Sequence, residues 1–387
     1  MTDLDIKLSI PQNDEIEITT IGVGSRSGES IVVHLGNNNW AIIDSCKIED
    51  TVLPLYYLEK IGVNLENVKI IVCSHWHEDH IAGMSEIIKQ CPNADFYIAK
   101  VGNRQNFLRY VITRNIKNDD KSNGKNWREF TNCLKILNEE KKRLRYASID
   151  TILHSDVYST LCAISPSLQV LDDFDDFLVK FNPENPDGDF SIKANMCSIA
   201  LILSTNNHHI ILGSDLECNR SSSTLDSLSC DQNCQQKKEY GWCNALIDSK
   251  LYNRYISYDY IKVPHHSSIT GFCPKKWRNH IKKDCIATST VYINNAGVSL
   301  PQKEMLKHYL TLTEHYYLTA LKATKSRDNN GKTVLEQEKH NIIEKITILP
   351  DNIGIICSRM DNNDLTWRTY LFGTALQVTP EIIKQYY

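Results

Sequence analysis

The stretch CSHWHEDHIAG, Cys73–Gly83, places three histidines and an aspartate within six residues, directly after an apolar strand-like run. Neutral imidazole and carboxylate groups are ligands for zinc and similar divalent ions. His75 and His77, two apart on an extended loop, can bind one ion from the same side. Asp79 and His80, which face elsewhere as a helix starts, can hold a second ion. The stretch therefore predicts metal ligands on a strand-to-helix turn, a position where loops usually carry function.

Further ligands are needed, because four are too few for two ions. Asp215, in IILGSDLE, and the pair His265 and His266, in YIKVPHHSS, directly follow apolar strand-like runs. The ends of separate strands can aim their side chains at one point. We expect Asp215 to bridge the two ions, with a helix N-cap as its alternative role.

Adjacent residues on an extended segment point in opposite directions, so only one of the paired histidines is expected to bind metal. We predict His265 as the ligand of the second ion. His266 is then expected to act as a catalytic group on the substrate side, or as a partner that supports a ligand. Asp79 is expected to bind the second ion and also to orient the attacking water as a catalytic residue.

Short β-like runs alternate with turns and helix-like segments along the chain. In the first part, the predicted strands are Glu15–Ile21, Ser30–His34, Trp40–Asp44 and Val68–Cys73, and the predicted helices are Leu53–Ile61 and His80–Lys89. In the second part, the predicted strands are Val157–Ser165, Cys197–Ser204, His209–Leu212 and Tyr258–Val263, followed by a closing hairpin of Ile353–Arg359 and Thr366–Phe372.

Together these motifs resemble a known superfamily. HWHEDH, at positions 75–80, matches the HxHxDH signature of the metallo-β-lactamase fold superfamily. The later GSD and PHHSS resemble the GD and HHGS motifs of the branch that includes the soluble domain of the competence protein ComEC. The resemblance implies a single domain over residues 1–387 with an α/β fold, the four-layer αββα sandwich. It also implies two divalent metal ions, expected to be Zn²⁺ with Mn²⁺ as the alternative.

The resemblance extends to residues around the expected centre. Asp44, in WAIIDSC, looks like the acidic residue that supports the site structurally in this superfamily. Asn195 and Ser198, in NMCSIAL, resemble an N-x-x-S stretch of the branch, which implies substrate contacts. GWCNALI at 241–247 and the closing hairpin also resemble segments of the branch.

Two departures from the family pattern change what is expected. Ser267 stands where the branch has glycine, so we expect an altered loop in which Ser267 contacts the substrate. Well-known enzymes of the superfamily have another metal-binding histidine between the HxHxDH motif and the bridging aspartate. His154 lies in that interval but is predicted to be a turn residue, so water or an unidentified group is expected to complete the first site.

Residues 100–146 differ in charge from the rest of the chain. Positions 100 to 145 contain thirteen lysines and arginines against five acidic residues, a local net charge of about +8 in a chain of net charge -4. Apolar residues recur with helical spacing through about 127–146. We interpret the segment as a basic helical insertion that contacts nucleic acid or a nucleotide, with Arg143 and Arg145 binding substrate. A solvated helical face is the alternative.

The composition, 41% hydrophobic and 23% charged, is that of a globular protein with a sizeable core. No apolar run is long enough to cross a membrane, and the start of the chain lacks signal-peptide features, so a cytoplasmic protein is expected. The 13 cysteines are scattered, which favours reduced thiols. Four of them lie in a predicted Ser- and Cys-containing insertion, 218–243, without the paired C-x-x-C spacing of structural zinc sites.

Two ions held about 3.5–4 Å apart lower the pKa of a shared water towards neutrality, which makes it a nucleophile. This chemistry hydrolyses a phosphodiester or a carboxylic ester, lactone or β-lactam. The branch is associated with nuclease and phosphodiesterase chemistry, and the basic insertion suits a polyanion, so we predict a phosphodiesterase. The alternatives are an esterase or lactonase for a small molecule, and a non-catalytic docking module stabilised by metal.

Overall fold

The computed structural model describes residues 6–24, 28–118, 125–184, 194–218, 240–251, 257–274, 277, 280–293, 297–322, 353–360 and 366–387. The strands are β1 (Ile16–Val23), β2 (Glu29–His34), β3 (Trp40–Ile43), β4 (Lys47–Ile48), β5 (Thr51–Val52), β6 (Val68–Val72), β7 (Asp95–Ala99), β8 (Leu144–Ala147), β9 (Ile152–Ser155), β10 (Thr160–Ala163), β11 (Leu201–Ser204), β12 (His209–Leu212), β13 (Tyr258–Lys262), β14 (Ile281–Ser289), β15 (Tyr292–Ile293), β16 (Ser299–Leu300), β17 (Tyr316–Leu318), β18 (Ile353–Met360), β19 (Trp367–Gly373) and β20 (Leu376–Gln377). The α-helices are α1 (Leu53–Lys60), α2 (Glu78–Ile81), α3 (Met84–Gln90), α4 (Arg104–Asn118), α5 (Lys125–Glu139), α6 (Leu168–Lys180), α7 (Gly241–Asp248), α8 (Lys303–Leu310) and α9 (Pro380–Tyr386).

Two mixed sheets form the centre of the fold. Their strand orders are β19-β18-β1-β2-β3-β6-β7-β8 and β20-β17-β14-β13-β12-β11-β10-β9. In the first sheet the run from β3 to β8 is parallel, and in the second the run from β12 through β13 and β14 to β17 is parallel. Because carboxyl ends of parallel strands share one edge, each sheet can present several loops at the same place.

The sheets pack face to face, with helices on their outer sides. Thr20 on β1 and Thr288 on β14 share a buried hydrogen bond of 3.0 Å between their hydroxyl oxygens. On the outer side of the first sheet, the Tyr57 hydroxyl of α1 donates to the Glu17 carboxylate of β1 at 2.8 Å. On the outer side of the second sheet, α8 and α9 pack on each other and on β17. The expected four-layer αββα sandwich is therefore confirmed.

Two glycines of the first sheet lie in close contact with Thr319, which follows β17 of the second sheet. A Cβ atom on Gly354 of β18 would lie 1.6 Å from the backbone oxygen of Thr319, and one on Gly22 of β1 would lie 2.3 Å from the Thr319 hydroxyl oxygen. No side chain fits at these distances, so both positions require glycine.

Most predicted elements of the first part lie where expected, but one helix is divided. The predicted helix from His80 to Lys89 consists of α2 and α3, which are separated at Gly83. Gly83 has a φ of 87°, a left-handed conformation that suits glycine. The ligand-bearing turn is therefore a short separate helix.

The predicted helix through residue 146 is wrong in its last part. The helix α5 ends at Glu139, and Leu144, which fell in phase with the helical spacing, lies on β8. Lys141, between the two elements, has a φ of 52°, which an α-helix does not allow. The insertion therefore consists of the two helices α4 and α5 and returns to the first sheet as its edge strand.

Some predictions concern residues outside the described ranges. These are positions 119–124 of the polar loop between the insertion's helices, 219–239 of the second insertion with Cys230 and Cys234, and the turn of the closing hairpin at 361–365. In the same insertion, Cys218 and Cys243 are described and buried. Among the helices that the structure describes, none has the length and apolar character needed to cross a membrane.

Candidate metal centre

The HxHxDH stretch follows β6 as an extended loop that leads into α2. His77 is the N-terminal cap residue of that helix, with φ -73° and ψ 151°. The His75 Nε2 and His77 Nδ1 atoms lie 3.1 Å apart. Two nitrogens on one tetrahedral zinc, with bonds of about 2.0–2.1 Å, are separated by roughly 3.3 Å. The pair is therefore spaced as two ligands of one ion.

Two groups of ligand atoms meet at the edge where both sheets present their loops. The first consists of His75, His77 and Asp215, and the second of Asp79, His80 and His266. In the second group, Asp79 Oδ2 lies 3.1 Å from His266 Nε2 and 3.6 Å from His80 Nε2. Each group can hold one divalent ion, because each offers histidine nitrogens together with a carboxylate.

Asp215 lies between the two groups. Its Oδ2 atom is 3.5 Å from His80 Nε2, 3.8 Å from His266 Nε2 and 3.9 Å from His75 Nε2. A carboxylate in that position can serve both ions. The structure thus places Asp215 where a bridging ligand would be expected.

Two buried atoms of the centre show that the residues fit metal ions. Among the described residues, His80 Nε2 and Asp215 Oδ1 have no hydrogen-bond partner, although both are inaccessible to solvent. Buried polar atoms without a partner are costly. A cation between the groups would satisfy both atoms, and His/Asp donors suit zinc or manganese.

The electrostatics of the centre also favour cations. Burial alone would lower the pKa of His80, but the carboxylates of Asp215, Asp79 and Asp44 raise it well above its ordinary value. Burial would raise the pKa of Asp215, but the neighbouring histidines, His80 first among them, hold it well below its usual range. The buried carboxylates thus require positive charge beside them.

Asp44 orients one histidine of each group. Its carboxylate accepts hydrogen bonds from the Ser74 backbone N–H at 2.7 Å and the Ser74 hydroxyl at 2.7 Å, and it lies 2.8 Å from His80 Nδ1. The Ser74 oxygen lies 3.0 Å from His75 Nδ1. Because a carboxylate only accepts, both Nδ1 atoms are placed to donate, which leaves the Nε2 lone pairs of His75 and His80 for metal. Asp44 has the supporting position that the sequence predicted.

The adjacent histidines have the opposite arrangement to the one expected. His266, which is 1% exposed, joins the second ligand group, whereas His265 lies in neither group. The prediction assumed an extended segment, but His265, His266 and Ser267 form a tight turn with φ values of 50°, 49° and 59°. This left-handed turn carries His266 into the centre, so the geometry favours His266 as the ligand.

His265 faces the centre from the more open side. Its Nδ1 atom lies 2.9 Å from a Glu217 carboxylate oxygen, and its Nε2 atom lies 3.3 Å from the Asn195 amide nitrogen and 3.9 Å from Asp215 Oδ2. The His265 side chain is 19% exposed. It is therefore held beside the ligand groups with an edge available to a substrate.

Three of the five predicted substrate contacts, Asn195, Ser198 and Ser267, differ in their access to the centre. Asn195 is 8% exposed and lies next to His265. Ser198 and Ser267 are both fully buried, and the Ser267 hydroxyl accepts a hydrogen bond of 2.7 Å from Tyr316. A buried hydroxyl cannot reach a substrate, which corrects the expectation for both serines. The positive φ of Ser267 explains why glycine suits that position.

Other residues around the centre were not expected from the sequence. A third group of possible ligands combines Glu29 with His80 and Asp215. Glu29 forms a fully buried ion pair with Lys262, whose ammonium already supplies the positive charge that this group requires. The signal in the sequence was Lys262 itself, a lysine inside the apolar strand run YDYIKV.

The second helix of the basic insertion begins against the metal motif. Lys125 at the start of α5 lies 3.7 Å from the Glu78 carboxylate of α2. The neighbouring Asn126 amide donates to the Trp76 backbone oxygen at 2.8 Å. The insertion therefore forms one wall beside the centre.

Arg143 and Arg145 lie farther from the ligands. Both pair with Asp95, at 2.8 Å and 3.2 Å, on the exposed edge of the first sheet. Asp95 is the first residue of β7, so this pairing lies towards the amino ends of the parallel strands, whereas the ligands follow the carboxyl ends. His154 is on the other sheet's edge strand β9, 3.1 Å from Asp156.

Comparisons with known proteins agree with this picture at the level of the family. Residues 24–120 match the sequence model described as "Metallo-beta-lactamase superfamily". No curated protein matches the chain.

The solved structures that match the chain share little sequence with it. The dizinc quorum-quenching lactonase AidC is 16% identical over 49% of this chain and 56% of its own, with a TM-score of 0.31. The hydrolase AbOPH of the β-lactamase superfamily is 13% identical over 54% of this chain and 73% of its own, with a TM-score of 0.35. The Rm3 metallo-β-lactamase is 14% identical over 66% and 76%, with a TM-score of 0.31. These values transfer no activity to the chain.

The matched range contains the complete HxHxDH stretch and the strands β2, β3, β6 and β7 that position it. This part of the chain is therefore similar to the metallo-β-lactamase superfamily.

Proposed function

We propose that the protein is a two-metal hydrolase that most readily fits a phosphodiester substrate. The observation that carries the proposal is the pair of ligand groups, His75, His77 and Asp215 beside Asp79, His80 and His266, at the meeting edge of the sheets. When bound, two divalent ions supply a water of lowered pKa and stabilise negative charge that develops on the substrate.

The protein side chains have separate tasks in this proposal. Asp44 holds His75 and His80 with their Nε2 atoms towards the centre. Asp79, whose side chain is 12% exposed, keeps one carboxylate edge open for orienting the attacking water. His266 is a ligand, and Asp215 joins the two groups.

His265 takes the substrate-side role that the sequence had suggested for His266. Glu217 and the Ser268 hydroxyl, 2.9 Å from Nδ1, hold its ring so that Nε2 points towards Asn195 and the centre. A substrate oxygen in that gap could contact both side chains. The left-handed turn thus provides one ligand and one substrate contact from neighbouring residues.

The basic insertion supports a phosphodiester in a nucleic acid or nucleotide. Lys125 at the start of α5 places positive charge beside the motif, and its side chain is 67% exposed. Arg143 and Arg145 remain proposed as outer contacts of a long polyanion. The HHSS and GSD motifs also lead us to propose the ComEC-like branch, whose chemistry agrees with this substrate class.

A carboxylic ester or lactone is the second candidate, because part of the insertion's charge is used internally. Arg109 donates to the backbone oxygens of Leu178 and Phe181 at the end of α6 and just after it, and Arg143 and Arg145 share one aspartate. A docking module without catalysis fits less well, since structural zinc sites are usually closed and rich in cysteine. The described cysteines are buried thiols, which supports our proposal of a reducing, cytoplasmic location.

The test compares two substrates with one set of variants. Metal-stripped protein, re-supplied with Zn²⁺ or Mn²⁺, is given bis(p-nitrophenyl) phosphate and p-nitrophenyl butyrate. Asp79→Ala should abolish turnover, while Asp95→Ala, which removes a carboxylate of the same sheet far from the ligands, should keep it. Diester cleavage lost only in Asp79→Ala supports the phosphodiesterase. Butyrate cleavage alone would contradict the phosphodiesterase and favour the esterase. Cleavage of neither substrate, with tightly held metal, would favour the docking module.

A further inference from the structure

The surroundings of His266 differ from those of an ordinary buried histidine. Its Nε2 atom faces Asp79 in the second ligand group, and its Nδ1 atom lies 2.8 Å from the Thr290 hydroxyl oxygen. The Tyr292 ring is stacked on the imidazole, with centroids 4.9 Å apart and an interplanar angle of 18°. The segment that follows β14 therefore holds His266 both at its edge and on its face.

Thr290 continues into a buried chain of polar groups. Its hydroxyl donates to a Glu29 carboxylate oxygen at 2.5 Å, and Glu29 is paired with the Lys262 ammonium. All three residues are fully buried. Burying such an ion pair usually costs more than a well-packed apolar pair of the same volume, so stability alone does not explain it.

The direction of each hydrogen bond in this chain is fixed. A carboxylate paired with an ammonium only accepts, so the single hydroxyl proton of Thr290 is committed to Glu29. The Thr290 oxygen can then only accept from His266, which requires a proton on Nδ1. The Glu29 oxygen itself is 3.7 Å from that nitrogen, too far for a direct hydrogen bond, so the threonine is needed as the link.

We propose that Lys262, Glu29 and Thr290 form a positioning chain that keeps a proton on Nδ1 of His266, so that Nε2, which faces Asp79, is the nitrogen left to bind an ion of the second group. This inference rests on the proposed two-metal function for its purpose. The first group has the same arrangement, because the Ser74 hydroxyl links His75 Nδ1 to the Asp44 carboxylate. Each ligand group thus has a hydroxyl and a buried carboxylate behind one of its histidines, and both carboxylates, Asp44 and Glu29, come from the first sheet.

The chain offers a matched pair of variants for the test. Thr290→Val removes the linking hydroxyl with little change of shape, and Thr290→Ser restores it. Thr288→Val, two positions earlier, removes another buried hydroxyl, which bonds to Thr20 and Tyr260. Both valine variants should lower the thermal stability of the metal-free protein to a similar extent, so stability cannot produce a difference between them.

Two measurements on the full chain read out the proposal. In metal-free protein labelled with ¹⁵N-histidine, the signals that disappear in His266→Gln report its tautomer. These should show a proton on Nδ1 in wild type and Thr290→Ser, and no proton on Nδ1 in Thr290→Val alone, where only the hydrogen bond from Nε2 to Asp79 remains. In Mn²⁺ titrations, Thr290→Val should lower the affinity of the second ligand group for Mn²⁺ by about 10–100-fold, while the affinity of the first group is unchanged.

The outcomes separate this inference from the proposed function. The positioning chain would be overturned if the proton on Nδ1 persists in Thr290→Val. It would also be overturned if Thr288→Val lowers the affinity of the second ligand group for Mn²⁺ as much as Thr290→Val does. If the wild type hydrolyses neither substrate but the tautomer changes as expected, the proposed activity fails while the positioning chain is supported.

Discussion

Replacing Asp44 with asparagine tests how the centre is held, because the two side chains have the same shape. The carboxylate faces three donors: the Ser74 N–H, the Ser74 hydroxyl and His80 Nδ1, all within 2.8 Å. In Asp44→Asn one oxygen becomes an NH₂ group, which itself donates. Either buried donors are left without an acceptor, at about 1–3 kcal/mol each, or His80 moves its proton to Nε2 and loses the lone pair that faces the metal group.

The affinity for both ions should fall in Asp44→Asn, because Asp44 orients His80 of the second group directly and His75 of the first group through Ser74. A loss of about 10–100-fold in affinity for each ion is expected, equivalent to roughly 1.4–2.7 kcal/mol per site. Competition for Zn²⁺ against a chromophoric chelator measures both constants. Asp95→Asn makes the same change of charge on the same sheet and should bind as wild type. Wild-type affinity in Asp44→Asn, or equal losses in both variants, would refute the reasoning.

Three further predictions concern the substrate, the packing and the response to pH. We expect weaker oligonucleotide binding in Lys125→Gln and in Arg145→Gln, measured by fluorescence anisotropy, and the difference from wild type should shrink at high salt. Turnover of bis(p-nitrophenyl) phosphate should be unchanged. Binding that does not depend on salt would contradict a substrate contact by the basic insertion. Gly354→Ala should lower the stability by several kcal/mol in denaturant unfolding, because its Cβ would lie 1.6 Å from a backbone oxygen, and an unchanged midpoint would exclude that close approach. Burial lowers the pKa of His34 to about 4 in the folded protein, whereas its pKa in the unfolded chain is near 6.5. The unfolded chain therefore binds more protons below pH 6.5, and the free energy of unfolding should fall by up to about 3 kcal/mol between pH 6.5 and pH 4. In His34→Gln this acid-limb loss should be smaller than in the wild type, as measured by unfolding at both pH values.

The ligand set could be read from the sequence to the extent that each ligand follows an apolar strand. Asp215 and the HxHxDH stretch satisfy this rule, so their convergence followed from strand ends alone. The positions of the strand ends did not determine whether His265 or His266 is the ligand, because this depends on three successive residues with left-handed backbone conformations, which hydrophobic periodicity does not reveal. Leu144 was misplaced for a related reason: seven residues after Leu137, it keeps the helical phase although Lys141 has already broken the helix.

The buried groups behind the ligands were harder to predict, since they act through partners that are distant in sequence. Glu29 and Thr290 are separated by 261 positions, and neither belongs to a motif. Only Lys262 stood out, because a charged residue in an apolar strand requires a buried partner. A lysine at such a position therefore indicates from sequence alone that a buried carboxylate lies opposite it, but not which carboxylate it is.

Neither sheet contains a complete ligand group by itself. The loops after β6 supply His75 and His77 to the first group, but its carboxylate, Asp215, follows β12 of the other sheet. The second group likewise needs His266, which follows β13. Metal binding therefore requires that the two sheets are packed together, and a ligand that binds only the packed state must stabilise it. The direct contact of Thr20 with Thr288 and the close approach at Gly354 set the spacing on which both groups depend. A change that loosens the packing of the two sheets should therefore lower the metal affinity of the centre, and bound metal should in turn stabilise the packed sheets.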